Sequence, residues 1–434
     1  MRILLGLLPL GFIYCTPADL STTRDLKDTS SDRIYVSLVE KGTVSTFYNR
    51  LASNDKQVVV TDAKVSGALN EVELTVVQGM RYCLVEPNNQ NVRAYENEIS
   101  NFGRIRLVAV SDLTTDIHEI TADIKDYVEC INPTNLENYA SATEANPPAI
   151  FNGDSVADLR TNLDINIAPE WIREKLSQFS GAVPTIIDGE QRTISNRRTS
   201  GNKILARAWL RQEFEAIGYT VSEHSYGSGI NFVAERLGAD QDRFLAVTAH
   251  IDTVNTAGAD DDGSGVIAGL AIATALKDAK LDYNLRIVGF DEEERGLIGS
   301  ARYASMLKSE GLIDQLVGVI NIEMTGYDRD KDGAIHVIDC NENTSADLTA
   351  IVMNVHSQDS LGLQKVAACT NRSDHAAFWR YNKPAIVISQ NFFGGDSNPC
   401  YHRSCDTVER MDFDYASRIT TLLARAVESV LVTN

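Results

Sequence analysis

Positively charged residues are in short supply in this sequence of 434 residues. Lys and Arg together number 40, Asp and Glu number 60, and the formal net charge at pH 7 is −20. A protein that binds nucleic acid needs a basic patch to neutralise phosphates, and the sequence has no basic stripe. We therefore expect no nucleic-acid partner.

Long apolar runs are also missing beyond the N-terminus. A membrane-spanning helix needs about 20 apolar residues, and no later stretch reaches that length, so we expect no membrane anchor. The one early apolar run covers residues 3–14, follows Arg2 and precedes a small-residue segment at 15–18. This pattern is typical of a signal peptide, which we predict over residues 1–18, and it implies a secreted protein in the periplasm or outside the cell.

Cysteine is sparse as well, with 7 residues in the chain. Removal of the expected signal peptide takes away Cys15 and leaves an even number, which favours disulfides in an exported chain. These cysteines can pair in many ways, so the sequence alone leaves the pairing open. The bridges that we expect are Cys400–Cys405, Cys83–Cys130 and, as a third pair, Cys340–Cys369.

The N-terminal part of the chain is predicted to be rich in β-strands. Short, alternating, β-branched runs separated by polar turns are typical of strands. These runs cover residues 34–39, 57–60, 72–77 and 105–110. Because this part has no cluster of His, Cys and carboxylates at ligand spacing, we expect a pro-region or accessory domain over 19–130. The Asn- and Pro-containing residues 131–168 then predict a linker.

Strand and helix patterns alternate through the remaining residues, 169–434. Expected helices cover residues 170–179, directly after Pro169, and 202–217, 265–280 and 412–431. Expected strands cover residues 219–222, 231–235, 244–248, 285–290, 316–324 and 385–390. This alternation predicts an α/β fold with a mainly parallel, doubly wound sheet and helices on both faces. Ligands of such sheets bind beyond the carboxyl ends of the strands.

Acidic residues and histidines follow several of the expected strands. The candidates are His250 and Asp252, the three aspartates 260–262 in a glycine-rich turn, the acidic residues 291–294, Glu323, and His402. Adjacent aspartates repel one another unless a cation lies among them, and zinc accepts imidazole nitrogen and carboxylate oxygen. Solvated acidic loops are the alternative, but several such strand ends with histidines favour a shared metal site.

These residues resemble the motifs of the secreted, zinc-dependent leucyl aminopeptidases of bacteria, which belong to the M28 family of metallopeptidases. The matching segments are residues 249–253, 260–265, 293–300, 321–326, 372–375 and 399–407. The resemblance runs from about residue 170 to the C-terminus and is weaker in the N-terminal region. It implies a peptidase with two Zn²⁺ ions per chain, bridged by one aspartate and one water.

The resemblance also implies ligands for both ions. Asp261 would be the bridge, followed by a cis peptide bond. His250 and Glu323 would hold one ion, while Glu294 and His402 would hold the other.

Catalysis by such a site requires a nucleophile and a base. The bridging water would be the nucleophile, and Glu293 would take its proton and pass it to the leaving amine. Asp252 would accept the second ring N–H of the first histidine ligand. Tyr401 matches a tyrosine that stabilises the oxyanion in some relatives, and Arg372 would position substrate. An apolar pocket for the N-terminal side chain, or else the protein core, would contain Met324, Phe392 and Phe393.

We expect a monomer that removes apolar, leucine-like N-terminal residues from peptides. Glu323 stands where the aminopeptidases usually have aspartate, so a carboxypeptidase or dipeptidase on the same scaffold is an alternative. A glutaminyl cyclase, which shares the fold and typically binds one zinc, is another, and a non-catalytic module would not need the base. His375 competes with His402 as the last ligand, and a rigid Cys400–Cys405 loop favours His402.

A second acidic pattern covers residues 328–339. Asp328, Asp330, Asp332 and Asp339 occupy positions 1, 3, 5 and 12, and a glycine occupies position 6, as in a calcium loop that normally ends in glutamate. The flanks are predicted to be strands, so the pattern is not a full EF-hand. A Ca²⁺ site and an acidic hairpin turn are the two interpretations.

Overall fold

The computed structural model describes residues 164–340 and 345–432, preceded by nine strands and residues 68–69. The chain divides into two compact units, residues 1–145 with Arg380–Asn382, and the remainder. Of the expected signal peptide only Arg2–Leu4 are described, as a strand, and most of the expected linker lies outside the described residues.

The N-terminal unit is rich in strands, as predicted. Its strands are β1 Arg2–Leu4, β2 Arg33–Glu40, β3 Asn49–Ser53, β4 Lys56–Thr61, β5 Asn70–Thr75, β6 Arg81–Glu86, β7 Glu98–Phe102, β8 Ile105–Val110 and β9 Tyr127–Ile131. They form two sheets, in the orders β1-β5-β2-β4-β3 and β7-β8-β6-β9. Cys83 on β6 lies opposite Cys130 on β9 in the register of the second sheet, and Cys83 is disulfide-bonded.

The second unit combines helices with a large sheet. Its strands are β10 Thr185–Ile187, β11 Glu190–Arg192, β12 Thr220–Ser225, β13 Ile230–Arg236, β14 Asp240–His250, β15 Tyr283–Phe290, β16 Leu316–Glu323, β17 Ala334–Ile338, β18 Gln364–Val366 and β19 Ala385–Gln390. Its helices are α1 Pro169–Phe179, α2 Ser200–Ala216, α3 Gly265–Ala275, α4 Ile298–Ser309, α5 Ala346–Gln358, α6 Ala376–Trp379 and α7 Phe413–Leu431.

The central sheet has eight strands in the order β12-β13-β15-β14-β16-β19-β17-β18. The inner strands β15, β14, β16 and β19 run parallel to their neighbours within this group. β13 pairs antiparallel with β15, and β17 pairs antiparallel with β19. The predicted α/β fold is therefore confirmed, with antiparallel pairs outside the parallel centre that the alternation of elements does not reveal.

Burial explains why the inner elements contain few polar residues. Every residue of β16 except the last is buried, since helices flank the sheet and parallel strands of this kind are covered on both faces. The first nine residues of α3 are also buried, so this helix is apolar all round rather than amphipathic. It ends at Ala275, earlier than the predicted residue 280, because the apolar spacing stops at Leu276 and polar residues follow. No described helix is long and apolar enough to cross a membrane.

Candidate metal centre and active site

Three neighbouring parallel strands bring the predicted site residues to one edge of the sheet. His250 is the last residue of β14, and Glu323 is the last residue of β16. Glu293 and Glu294 follow the end of β15, which pairs with β14 on its other side. Because the carboxyl ends of parallel strands meet at one edge, residues far apart in sequence lie together there.

A buried turn, Ala259–Ser264, carries the three aspartates between β14 and α3. The peptide bond between Asp261 and Asp262 is cis, as the family resemblance implies. Gly258 begins the turn at φ +60°, and a Cβ at this position would lie 2.2 Å from Cγ2 of Thr253. Only glycine therefore fits the start of the turn.

Asp261 lies between the two predicted histidine ligands. Its Oδ1 is 3.0 Å from Nε2 of His250, and its Oδ2 is 3.1 Å from Nε2 of His402. Glu323 Oε1 is 3.5 Å from Nε2 of His250, and Glu294 Oε2 is 3.0 Å from Nε2 of His402. His250 and Glu323 thus lie beside one oxygen of Asp261, and His402 and Glu294 lie beside the other.

The donor set fits divalent metal ions. His250, Asp261 and Glu294 each offer an atom within 4.8 Å of the others, and so do His250, Asp262 and Glu323. Imidazole nitrogen combined with carboxylate oxygen is the ligand set that zinc prefers. Buried carboxylates this close together repel one another unless a cation or proton lies among them, so two groups of this composition suit zinc well.

The charges in the site are strongly coupled. Burial alone would raise the pKa of Asp261, but hydrogen bonds and charges from His250 and His402 hold that pKa well below its usual range. Burial raises the pKa of Glu294 to about 8, and the neighbouring Asp261 adds to the rise. Asp261 is therefore the group that stays anionic between the two histidines.

Asp252 supports both His250 and the loop after β15. Nδ1 of His250 is 3.1 Å from the backbone carbonyl of Asp252 and 3.6 Å from its carboxylate Oδ1. The two carboxylate oxygens accept the backbone N–H groups of Glu293 and Glu294, at 3.1 and 3.3 Å. A proton on Nδ1 leaves Nε2 of His250 as a lone-pair donor on the side of Asp261.

Glu293 and Glu294 interact with different sides of the site. Burial raises the pKa of Glu293 well above its ordinary value; the charge of His250 opposes this rise, and that of Glu323 adds to it. Glu294 is coupled instead to Asp261 and His402. The two adjacent carboxylates thus have different main partners: His250 and Glu323 for Glu293, and Asp261 and His402 for Glu294.

The other two aspartates of the turn have structural partners. Asp260 accepts hydrogen bonds from Gln390 Nε2 at 3.0 Å and from Asn398 Nδ2 at 2.7 Å. Asp262 accepts the backbone N–H groups of Gly265 at 3.0 Å and Met324 at 3.1 Å. Both carboxylates therefore join the turn to neighbouring loops.

Tyr401 lies beside the site. Its ring stacks on His402 at 3.8 Å between centroids, and it has an edge contact with Phe392 at 5.2 Å. Arg372 is buried, and its backbone N–H donates to Thr370 Oγ1 at 3.1 Å. The roles of both residues remain predictions.

His375 belongs to the core. Its Nε2 lies 3.0 Å from the carbonyl of Thr370, and its ring packs edge-on against Trp379. Burial lowers its pKa to about 4. These contacts leave His402 as the histidine beside Asp261.

Two disulfides lie in the described part of the second unit. Cys400 and Cys405 are joined on either side of His402, and Cys340 is joined to Cys369. The first of these pairs closes the short loop that carries His402 next to Asp261.

Sequence reasoning missed several supporting residues. Arg197 is fully buried and donates to the carbonyls of Ile251 at 2.8 Å and Gly258 at 2.7 Å, which fixes the path between β14 and the aspartate turn. Asp406 accepts the backbone N–H groups of Asp260 and Asp261 at 2.9 and 3.2 Å. Asp406 lies within a segment that matched the family, yet nothing in its spacing distinguishes it from a surface aspartate.

Ser373 was also missed. Its hydroxyl donates to Glu323 Oε2 at 2.7 Å and accepts from Asn321 Nδ2 at 2.7 Å. Asn321 in turn accepts from the hydroxyl of Thr248 on β14 at 2.6 Å. A chain of hydrogen bonds therefore orients Glu323 from two adjacent strands.

Residues 328–332, which contain three aspartates, lie between β16 and β17, so the predicted strand flanks are confirmed. Asp328, Asp330 and Asp332 lie together, and their fourth neighbour is Asp396 from the loop after β19. Asp339 is not part of this cluster; its Oδ2 accepts a hydrogen bond from Thr349 at 2.7 Å.

Known peptidases are similar to part of this chain. Residues 231–427 match the model described as Peptidase family M28, which confirms the resemblance for this segment. Aminopeptidase YwaD of Bacillus subtilis (strain 168) is 31% identical over 189 residues, which is 42% of this chain and 40% of that protein. The alignment thus spans less than half of the relative.

Solved structures share the fold. The Legionella pneumophila LapA aminopeptidase aligns over 80% of this chain and 98% of that one, with a TM-score of 0.59 and 17% identity. The Fimbriiglobus ruber glutaminyl cyclase aligns over 64% of this chain and 99% of that one, with a TM-score of 0.52 and 16% identity. At these identities the likeness concerns the fold, so it does not separate the two activities.

Proposed function

We propose that the protein is a secreted, monomeric aminopeptidase with two zinc ions per chain. The observation that carries the proposal is the position of Asp261, whose two carboxylate oxygens lie at 3.0 and 3.1 Å from two different histidines. A carboxylate with each oxygen beside a different histidine suits a pair of ions better than a single ion. His250 and Glu323 would hold one ion, and Glu294 and His402 the other.

The residues around the two zinc ions would each have a different role in peptide hydrolysis. Zinc supplies Lewis acidity, which lowers the pKa of water and polarises a carbonyl group. Glu293 is buried and has a raised pKa, so it can hold a proton transferred from water and deliver it to the departing amine. Tyr401, held against His402, would donate a hydrogen bond to the oxyanion.

Substrate would be a peptide with an apolar, leucine-like N-terminal residue. Phe392 contacts Tyr401 edge-on, and Phe393 follows it, so an apolar surface adjoins the His402 side of the site. Met324, directly after Glu323, is buried. Arg372, the residue directly before Ser373, would position the substrate.

Two alternatives make different chemical predictions. A carboxypeptidase or dipeptidase is favoured by Glu323, whose longer side chain alters the subsite expected for a free amine. A glutaminyl cyclase is favoured by the shared fold. The cyclase would need one zinc and would close the ring of N-terminal glutamine.

The test compares two substrates with the zinc-loaded full-length protein. We expect hydrolysis of leucyl-p-nitroanilide. We expect no hydrolysis of peptides whose N-terminus is blocked. Activity on the blocked peptides alone would reject the aminopeptidase in favour of the first alternative. Ring closure of N-terminal glutamine without hydrolysis would favour the cyclase.

A further inference from the structure

We propose that Asp328, Asp330, Asp332 and Asp396 form a calcium site that is separate from the zinc pair. The first three come from the loop between β16 and β17, and the fourth comes from the loop after β19. Each carboxylate offers an oxygen, and these four atoms lie within 4.8 Å of one another. Two separate loops thus converge on one point.

The carboxylate of Asp328 gives a second, independent indication that a cation binds here. Its exposed fraction is only 6%, and its Oδ1 has no hydrogen-bond partner among the described residues. The other oxygen accepts the backbone N–H of Gly333 at 3.1 Å and lies 3.6 Å from a guanidinium nitrogen of Arg418. A buried carboxylate oxygen without a partner is costly, and a cation among the four aspartates would satisfy it.

Asp396 reinforces this inference. It is 1% exposed, although it lies beside three other carboxylates. Its Oδ1 accepts the backbone N–H of Arg329 at 3.0 Å, and its Oδ2 accepts from Asn391 Nδ2 at 3.1 Å. These two bonds hold its carboxylate at the acidic loop. Arg418 pairs with Asp328 and brings one positive charge to a cluster of four carboxylates.

The ligand chemistry selects calcium over the other biological divalent ions. The cluster has oxygen ligands and neither imidazole nor thiolate, which are the ligands that favour zinc. Asp330 and Asp332 are exposed, so water can complete a shell of six to eight oxygens. Magnesium requires a tighter octahedral shell and loses water reluctantly, so four clustered carboxylates with room for water suit calcium better.

Hydrogen bonds connect this cluster to the aspartate turn. Gln390 accepts the backbone N–H of Tyr327 at 2.7 Å and donates to Asp260 Oδ2 at 3.0 Å. Asn391, the next residue, binds Asp396. Calcium would therefore stabilise the two loops that flank Glu323 and the apolar residues after β19.

The test is a calcium titration of the zinc-loaded full-length protein in calcium-free buffer, followed by scanning calorimetry. Up to about 10 mM CaCl₂, which exceeds the range of extracellular calcium modules, we expect a saturable rise of about 5 °C in Tm. The double variant Asp330→Asn, Asp332→Asn should lose this rise. Both substituted residues are exposed and keep their size, so the variant should fold.

The matched control is Asp278→Asn, an 89% exposed aspartate outside the cluster, which should keep the full rise. An unchanged Tm of the wild type in CaCl₂ would overturn the proposal. So would an equal rise in MgCl₂, or a rise that persists in the double variant, because either result would indicate general screening of acidic charge. None of these results depends on peptidase activity.

Discussion

Three aspartates that follow one another in sequence have different partners in the structure. Asp260 and Asp262 accept hydrogen bonds from amide groups of other loops, whereas Asp261 alone lies against both His250 and His402. The pattern of charges along the sequence cannot show which of these three adjacent aspartates lies between the histidines. The family resemblance singles out Asp261 by its position before the Asp-Gly-Ser-Gly segment, and the structure supplies the geometric reason.

The proposed base can be tested by one substitution. Glu293→Gln keeps the size of the side chain but cannot hold the transferred proton, so kcat should fall by about 10²- to 10⁴-fold. Zinc content, measured by mass spectrometry of the metal, should stay unchanged because Glu293 is not a proposed ligand. Glu292→Gln is the matched control: this neighbour accepts from the hydroxyl of Ser228 at 2.6 Å, and its variant should keep its kcat. Unreduced turnover in Glu293→Gln would reject the assigned role.

Ser373 is a positioning residue for a proposed ligand. Ser373→Ala removes the 2.7 Å hydrogen bond to Glu323, so the affinity of the protein for zinc should fall by about 10- to 100-fold. Competition with a chromophoric chelator measures this affinity without reference to catalysis. Ser389→Ala, which removes a hydroxyl 3.4 Å from the carbonyl of Met324, is the control with expected wild-type affinity. Equal affinities in the two variants would argue against the positioning role.

His375 gives the protein a defined acid sensitivity. Its folded-state pKa of about 4 lies below the ordinary value of 6.5, so its contribution is complete above pH 6.5 and disappears as pH falls towards 4. At pH 5 the loss amounts to about 2 kcal/mol in the free energy of unfolding.

Urea unfolding at pH 7 and pH 5 measures this loss. His375→Gln can still donate to the carbonyl of Thr370 but does not titrate, so its stability should fall less between the two pH values than that of the wild type. The same fall in both proteins would mean that His375 is protonated in the folded state.

At the scale of elements, several long segments were predicted from the sequence, whereas the helices α4 and α5 and the short hairpin β10–β11 were not. β14, β16, β19 and α7 agree with their predicted ranges to within a few residues. The strands have apolar runs because a parallel sheet is covered on both faces, and α7 has the spacing of an amphipathic helix. The hairpin β10–β11 was missed because its strands have three residues each, and every residue of β11 is exposed. Short strands of this kind carry no periodic signal.

The two disulfides Cys400–Cys405 and Cys340–Cys369 should rank in opposite order for stability and for zinc affinity. Cys400 and Cys405 enclose a short loop, so replacing both by serine should cost about 2 kcal/mol of stability. The same change at Cys340 and Cys369 opens a longer loop and should cost about 4 kcal/mol.

Zinc affinity should respond in the reverse order, because the short loop carries His402. Denaturant unfolding and chelator competition on both double variants provide the two measurements. A larger loss of zinc affinity in the Cys340–Cys369 variant would contradict the proposed function of the short loop.

At the scale of the whole molecule, the sequence predicts the class of fold and the strand ends that meet, but not the supporting contacts. Successive acidic strand ends indicated a metal site, and the parallel centre of the sheet places them together. Arg197, Ser373 and Asp406 escaped prediction, because each acts through a contact across at least 50 residues of chain. Spacing along a sequence does not record such contacts. Neither does it reveal that Asp396 replaces Asp339 at the acidic loop.

Zinc stoichiometry tests the central claim most directly. The full-length protein is loaded with zinc, desalted, and analysed for metal per chain, together with the Asp261→Asn variant. We predict two zinc ions in the wild type and a clear loss in the variant, since one carboxylate would serve both ions. One zinc per wild-type chain, or two that persist without the Asp261 carboxylate, would contradict the shared bridge.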